Sequence, residues 1–179
     1  MKPNEVRIVG GAWRSRRIHF TPLANLRPTP DRVRETLFNW LGQDLTGCAC
    51  LDLFAGSGAL GFEAASRGAR RVVMVERDRT AYAALERNKA ALGALQVELA
   101  RGDALEFVRR DAGEYDVIFL DPPFDAGCGS ELLAILPSRL APDGWVYHES
   151  RAAMQWPEGW KVLKEGRAGQ VLYQLVKRT

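Results

Sequence analysis

Apolar residues along this chain follow two alternating rhythms. Short apolar runs, Cys48 to Leu51, Arg71 to Val75 and Tyr115 to Leu120, read as strands buried on both faces. Between them, apolar residues recur every three or four positions, as on a helix with one buried stripe. Val33, Leu37, Phe38 and Leu41 make one such set, and Tyr82, Leu85 and Leu92 mark another within residues 78–92. Residues 59–67 and 128–140 also read as helices, and residues 95–100 and 144–149 as strands. Residues 160–165 and 171–177 read as two strands joined through Gly166-Arg167-Ala168-Gly169. This order predicts an α/β, Rossmann-like fold. Its sheet is mainly parallel and doubly wound, with an antiparallel strand at one edge.

The segment ahead of this pattern is different. Val6 to Val9, Gly10-Gly11 and Trp13 to Phe20 predict an N-terminal β-hairpin extension, with the glycines as its turn. Leu26 to Pro30 is a stiff linker. Thr29 is expected to cap the helix that follows, with Pro30 at its first position and Gly42 ending it. The predicted organisation is an arm, residues 1–26, on a domain of residues 27–179, together one compact unit.

Charge sharpens that division. The 179-residue chain carries a formal +3. Residues 1–34 hold eight Lys or Arg and two acids, a net +6, which leaves −3 for the remainder. A basic arm on a mildly acidic domain points to a polyanion. Trp13 among Arg14, Arg16 and Arg17 suits RNA, where rings stack on unpaired bases and arginines hold phosphates. Arg7, Arg27 and Arg34 extend the set. Packing of the hairpin on the domain explains Trp13 equally well. The sequence has no apolar run of membrane-spanning length and no signal-peptide pattern, so a cytoplasmic location is expected. Cys48, Cys50 and Cys128 form no disulfide framework, and Cys48 and Cys50 alternate toward one face as core residues. No metal site is expected.

The chemistry is concentrated in two stretches. Asp52-Leu53-Phe54-Ala55-Gly56-Ser57-Gly58 places an acid, a glycine turn and a helix N-terminus in series, the layout of a nucleotide-type site. Gly56-x-Gly58-x-x-Gly61 also fits the dinucleotide pattern, which keeps an NAD-dependent oxidoreductase open. Asp52 argues against it, because a carboxylate repels a pyrophosphate and suits an ammonium or hydroxyl. Glu76, twenty residues beyond the turn, stands where a ribose-binding carboxylate is expected. The second stretch is Asp121-Pro122-Pro123-Phe124 at a strand's carboxyl end. Asp121 and the Pro122 carbonyl are two acceptors matched to the two hydrogens of an exocyclic amine, and Phe124 offers a ring for a base to stack on. Asp121 can also take the proton that the amine releases.

The first stretch resembles motif I of the class I S-adenosylmethionine-dependent methyltransferases. The second resembles the [D/N/S]-P-P-[F/Y/W] motif of amino-methyltransferases. Val6-Arg7-Ile8-Val9-Gly10-Gly11-x-Trp13-Arg14-x-Arg16 and Arg27 to Glu35 resemble the two signatures of the bacterial 16S ribosomal RNA guanine-N2 methyltransferases. Together these motifs cover nearly the whole chain. The resemblance implies S-adenosylmethionine as donor, S-adenosylhomocysteine as product, and N2 of one guanosine as acceptor. It places the cofactor at Asp52, Phe54, Ala55, Gly56, Ser57, Gly58, Glu76 and Asp103, with Asp103 toward the adenine amine or simply capping a helix. It turns Thr29 and Arg32 toward the active site. It assigns the target base to Asp121, Pro122, Pro123 and Phe124. The expected partner is 16S rRNA within the small subunit or an assembly intermediate, met by a monomer. Ser15 departs from the family, which often has glycine there. A DNA adenine-N6 methyltransferase and a non-catalytic RNA-binding protein remain open. The first lacks a target-recognition domain here, and the second leaves Asp121 to Phe124 unexplained.

Overall fold

The computed structural model describes residues 4–22, 28–123 and 129–179. Of the residues singled out above, Arg27, Phe124 and Cys128 lie outside the described residues. In chain order the elements are β1 (Glu5–Arg7), β2 (Arg17–His19), α1 (Asp31–Trp40), β3 (Ala49–Asp52), α2 (Ala59–Ser66), β4 (Arg71–Glu76), α3 (Arg79–Leu92), β5 (Val97–Arg101), α4 (Ala104–Arg110), β6 (Tyr115–Leu120), α5 (Ser130–Ile135), β7 (Leu140–Ser150), β8 (Trp160–Ala168) and β9 (Val171–Arg178). A single 3-10 turn, Leu136–Ser138, follows α5.

The main sheet has seven strands in the order β5-β4-β3-β6-β7-β9-β8. β5 through β7 run parallel, and β9 pairs antiparallel with both β7 and β8. The order reverses between β3 and β6, and ligands bind beyond the carboxyl ends of the strands at such a point. Alternate residues of each strand feed two cores. Cys50, Val72, Met74, Val117, Phe119 and Tyr147 pack with α1, α2, α3 and the hairpin. Leu51, Val73, Val75, Ile118, Leu120 and Val146 pack with α4 and α5. Burial on both faces is why these strands read as unbroken apolar runs. Cys48 packs against the same core as Cys50, as the alternation predicts. Among the described residues, no helix is long and apolar enough to cross a membrane.

The structure departs from the sequence pattern at several ends. Pro30, not Thr29, stands at the N-cap of α1, and no side chain caps that end. The helix predicted through Leu140 stops at Ile135, because Pro137 cannot continue it, and Leu140 already begins β7. Gly166 belongs to β8 rather than to a turn. A Cβ there would meet the Tyr173 ring at 2.4 Å, so the position is glycine because a cross-strand aromatic lies over it. The turn is tighter, at Gly169-Gln170.

The hairpin's second strand is also shorter than Trp13 to Phe20. Residues 8–16 form a long loop clamped to the end of α2. Ala12 N donates to Ser66 O at 2.7 Å, Trp13 N donates to Ser66 Oγ at 2.9 Å, and Ser66 Oγ donates to Gly10 O at 2.6 Å. The loop needs left-handed backbone at Gly11 and at Ser15, where φ is 70°. This is the physical reason for a glycine preference at position 15. Ser15→Gly is therefore expected to stabilise the fold by about 1 kcal/mol, since a non-glycine residue pays roughly that for a left-handed φ. Thermal unfolding checks it, with a rise of about 2–4 °C for a domain of this size.

Candidate active site

The glycine turn is built by three separate requirements. Gly56 has φ 50°, and Gly58 has φ 83° at the N-cap of α2. A Cβ on Gly58 would stand 2.6 Å from Phe62 and 2.8 Å from Leu85. At Gly61 the need is packing, because a Cβ would meet Met74 at 2.8 Å and push α2 off β4. Gly58 N donates to Ala55 O at 2.7 Å, and Ala55 N to Val75 O at 2.9 Å, which ties the turn to β4.

A cleft of about 1120 Å³ opens over the carboxyl ends of the parallel strands. Asp52, Phe54, Ala55, Gly56, Ser57, Glu76 and Asp103, which follow or end β3, β4 and β5, line its half on one side of the switch point. Asp121, Pro122 and Pro123, which follow β6, line the half on the other side, and Thr29 also lines the cleft. The chain thus brings together residues from five separated segments that the sequence marked out. Gly58 shapes the turn without lining the cleft. Arg32 stands exposed on α1 and is not among the residues that line the cleft. Thr29 does face the cleft, at its catalytic end. It lines the cleft with Asp121 and Glu149 and does not cap the helix end.

Each acid has a defined environment. Asp52 is 1% exposed, and its Oδ2 accepts from Gly61 N at 3.1 Å. Burial pushes its carboxyl up to about 7, opposed by the N–H groups of Gly61 and Phe54. Glu76 accepts from Gly56 N at 2.8 Å and from Asp78 N at 2.7 Å, so it braces the turn while facing the cleft. A carboxylate has room for further donors beyond these two. Asp103 caps α4, accepting from Leu105 N at 2.9 Å and Glu106 N at 3.2 Å. Desolvation, then the neighbouring Glu149 and Asp52, raise Asp121 well above the ordinary carboxylate range.

Pattern alone missed Glu149, Asp78, Arg77 and Arg151, which also line the cleft. The signal for Asp78 was present, an acid two residues beyond Glu76 that caps α3 through Thr80 N and Ala81 N. Glu149 required the strand order, because only the pairing of β6 with β7 brings it beside Asp121. The acids of the first half suit a cationic, hydroxyl-bearing ligand and disfavour a pyrophosphate. S-adenosylmethionine, with its sulfonium, ammonium and ribose, fits this donor set.

The arm's arginines divide into exposed and enclosed. Arg14 and Arg16 are exposed, and Arg16 also donates to Ala91 O at 2.6 Å. Arg7 pairs with Asp31 at 3.1 Å and Arg17 with Glu5 at 2.8 Å, both still half open to solvent. Trp13 is partly buried against the core. Arg34 is corrected: it is fully buried and cannot reach RNA. Its guanidinium donates to Glu63 Oε2, Asp31 Oδ1, Thr29 O and Arg7 O. It is a structural hub joining arm, α1 and α2.

Comparison with known proteins agrees with this geometry. The sequence model of the family described as Conserved hypothetical protein 95 matches residues 6–177. Ribosomal RNA small subunit methyltransferase D of Escherichia coli K12 is 40% identical, over 99% of this chain and 94% of its own length. The protein of the same name from Haemophilus influenzae is also 40% identical, over 96% and 93%. A solved Escherichia coli structure described as a methyltransferase superposes with a TM-score of 0.86 at 41% identity, covering 97% of this chain and 98% of that one. A precorrin methyltransferase of Geobacter metallireducens shares the fold alone, at TM-score 0.69 and 17% identity over 88% and 92%. By its full-length match and by its fold, the chain belongs to the Conserved hypothetical protein 95 family, that of ribosomal RNA small subunit methyltransferase D.

Proposed function

We propose that this protein methylates the exocyclic N2 of one guanosine in 16S ribosomal RNA, using S-adenosylmethionine as donor. The observation that carries the reading is the cleft itself. An acid-lined half with a glycine turn meets an Asp121–Pro122 acceptor pair at the switch point of one sheet. The names of the 40% identical relatives support the RNA of the small subunit as substrate. When bound, the donor supplies an electrophilic methyl group.

The chain's own residues do the rest. Asp52 would hold the donor's cationic amino-acid end, Glu76 its ribose and Asp103 its adenine. Asp121 and the Pro122 carbonyl accept the two amine hydrogens and aim the nitrogen lone pair at the methyl carbon. Held so, the reactants need only an in-line displacement, and positioning supplies much of the rate. The motif resemblance assigns Phe124, the next residue, to the same base. Guanine N2 is hidden in a paired base, so the target enters unpaired or flipped. Arg7, Trp13, Arg14, Arg16, Arg17 and Arg27 give the RNA a basic approach. So small a domain reads few bases, and the shape of an assembling subunit supplies the specificity. The enzyme works in the cytoplasm as a monomer.

Incubation with radiolabelled S-adenosylmethionine and small subunits lacking the modification tests this. Label in N2-methylguanosine at one site is expected. Label in adenosine overturns the base assignment, and no label in any nucleic acid overturns the function.

Asp52 adds a pH dependence. Its ionised form attracts the ligand's ammonium, and its carboxyl sits near 7 in the free protein. Affinity for S-adenosylhomocysteine is therefore expected to be flat above that value and to weaken toward about tenfold per pH unit below it. Calorimetric titration across neutral pH reads this directly. Asp52→Asn should bind more weakly at pH 8 and lose the dependence; a flat wild-type profile removes Asp52 from the ligand contacts.

A further inference from the structure

Three carboxyls converge at one end of the sheet on one face. Asp52 ends β3, Asp121 follows β6, and Glu149 lies near the end of β7. The register fixes two of them as neighbours. Leu120 lies opposite His148 in the parallel β6–β7 pair, so Asp121 and Glu149 come next and point the same way. Phe119 and Tyr147 show that direction two residues earlier, with ring centroids 6.4 Å apart. Glu149 is 4% exposed, lines the same cleft as Asp121, and accepts from Tyr147 Oη at 2.7 Å. Thr29, 5% exposed, lines the same cleft.

Two carboxyls side by side in one largely buried cleft repel each other when both are ionised, which favours a state with one of them protonated. The surroundings favour the same state. Asp52 adds negative charge from β3, Tyr147 and Tyr173 present phenols from β7 and β9, and Arg151 lines the cleft beyond β7. Burial leads the causes that raise both acids above their ordinary range.

We propose that Glu149 and Asp121, neighbours across the β6–β7 register, act as one proton-sharing unit, in which Glu149 is a positioning residue that sets when Asp121 can take the proton from the methylated amine. The inference rests on the amine-methylation reading above. After transfer, the amine nitrogen carries one proton too many. Its N–H bond breaks, the electron pair stays on nitrogen, and the proton goes to the ionised member of the pair. Glu149 has no place in any of the motifs that marked the site.

Two measurements test it. The first needs no substrate: thermal unfolding of wild type, Glu149→Gln, Asp121→Asn and the double variant between about pH 5 and pH 8. Carboxyls raised in the folded state give stability that is present at low pH and lost as pH rises through their folded values. Wild type should therefore lose stability toward neutral pH relative to each single variant, and the second substitution should add little to the first. Additive effects, or equal pH slopes, overturn the pair. The second is the pH–rate profile of methyl transfer by Glu149→Gln. Removing a like charge should move its acid limb down by about one pH unit. A rate lowered at every pH with the limb unmoved overturns the positioning role. Absence of methylation by wild type would instead count against the amine reading, while the unfolding comparison still reports on the pair.

Discussion

Replacing Asp121 with alanine is expected to lower kcat for methyl transfer about 10²–10³-fold, the usual worth of a positioned acceptor that also takes a proton. Affinity for S-adenosylhomocysteine should hardly change, because Asp121 belongs to the other half of the cleft. Stability should not fall either. Burial first, and then the charges of Glu149 and Asp52, raise Asp121 well above its ordinary range. Deleting it relieves that repulsion, and the melting temperature at neutral pH should hold or rise. Loss of rate with a steady or higher melting point is the mark of a group kept for chemistry at the fold's expense. Asp121→Asn should fall between, since its amide oxygen still accepts one amine hydrogen but cannot take the released proton. Single-turnover rates on small subunits, set beside calorimetric binding and thermal unfolding, separate the three quantities. A variant that methylates at the wild-type rate would remove Asp121 from the mechanism and leave the acceptor role to the Pro122 carbonyl alone.

What the sequence revealed, and what it hid, follows from how local each signal was. Gly56, Gly58 and Asp52 were legible because a strand, a turn and a helix start are consecutive, and their needs are met within ten residues. The parallel strands were legible because two cores draw on alternate residues of one run. Glu149 was not, because its importance comes from a neighbour 28 positions earlier that only the β6–β7 register supplies. Arg34 was misread for the same reason. In a segment dense with arginines, nothing local separates the one whose four acceptors lie on α2, the arm and the start of α1 from those facing solvent. Ser15 shows the reverse case, where a departure from a family pattern had a cause visible only as a backbone angle.

Glu63→Ala should be the most destabilising of the substitutions considered, by about 3 kcal/mol, because it takes from a fully buried guanidinium the one of its two carboxylate partners that is itself fully buried. Glu63 and Arg34 are both fully buried, and they meet at 3.0 Å. The same carboxylate accepts from Arg67 Nε at 2.9 Å and from the Val9 backbone N–H at 2.9 Å. Its loss therefore leaves three donors on three segments without their acceptor. The consequence reaches the cleft. Arg34 Nε donates to Thr29 O at 3.1 Å, and Thr29 lines the cleft together with Asp121 and Glu149. Arg34 Nη2 also holds Arg7 O at 2.8 Å, so the arm and the catalytic end share one anchor. Denaturant unfolding measures the cost, and proteolysis near Val9 reports whether the arm detaches first. The decisive comparison is a cycle with Arg34→Met. Removing one member of a buried ion pair leaves the other uncompensated, whereas an apolar pair of similar volume leaves neither. The double variant Glu63→Ala with Arg34→Met should therefore be more stable than Glu63→Ala alone, yet remain slow in methyl transfer because Thr29 O has lost its donor. Equal losses in the single and double variants would mean that Glu63 acts through Val9 and Arg67, and that Arg34 is held by Asp31 and the two carbonyls without it.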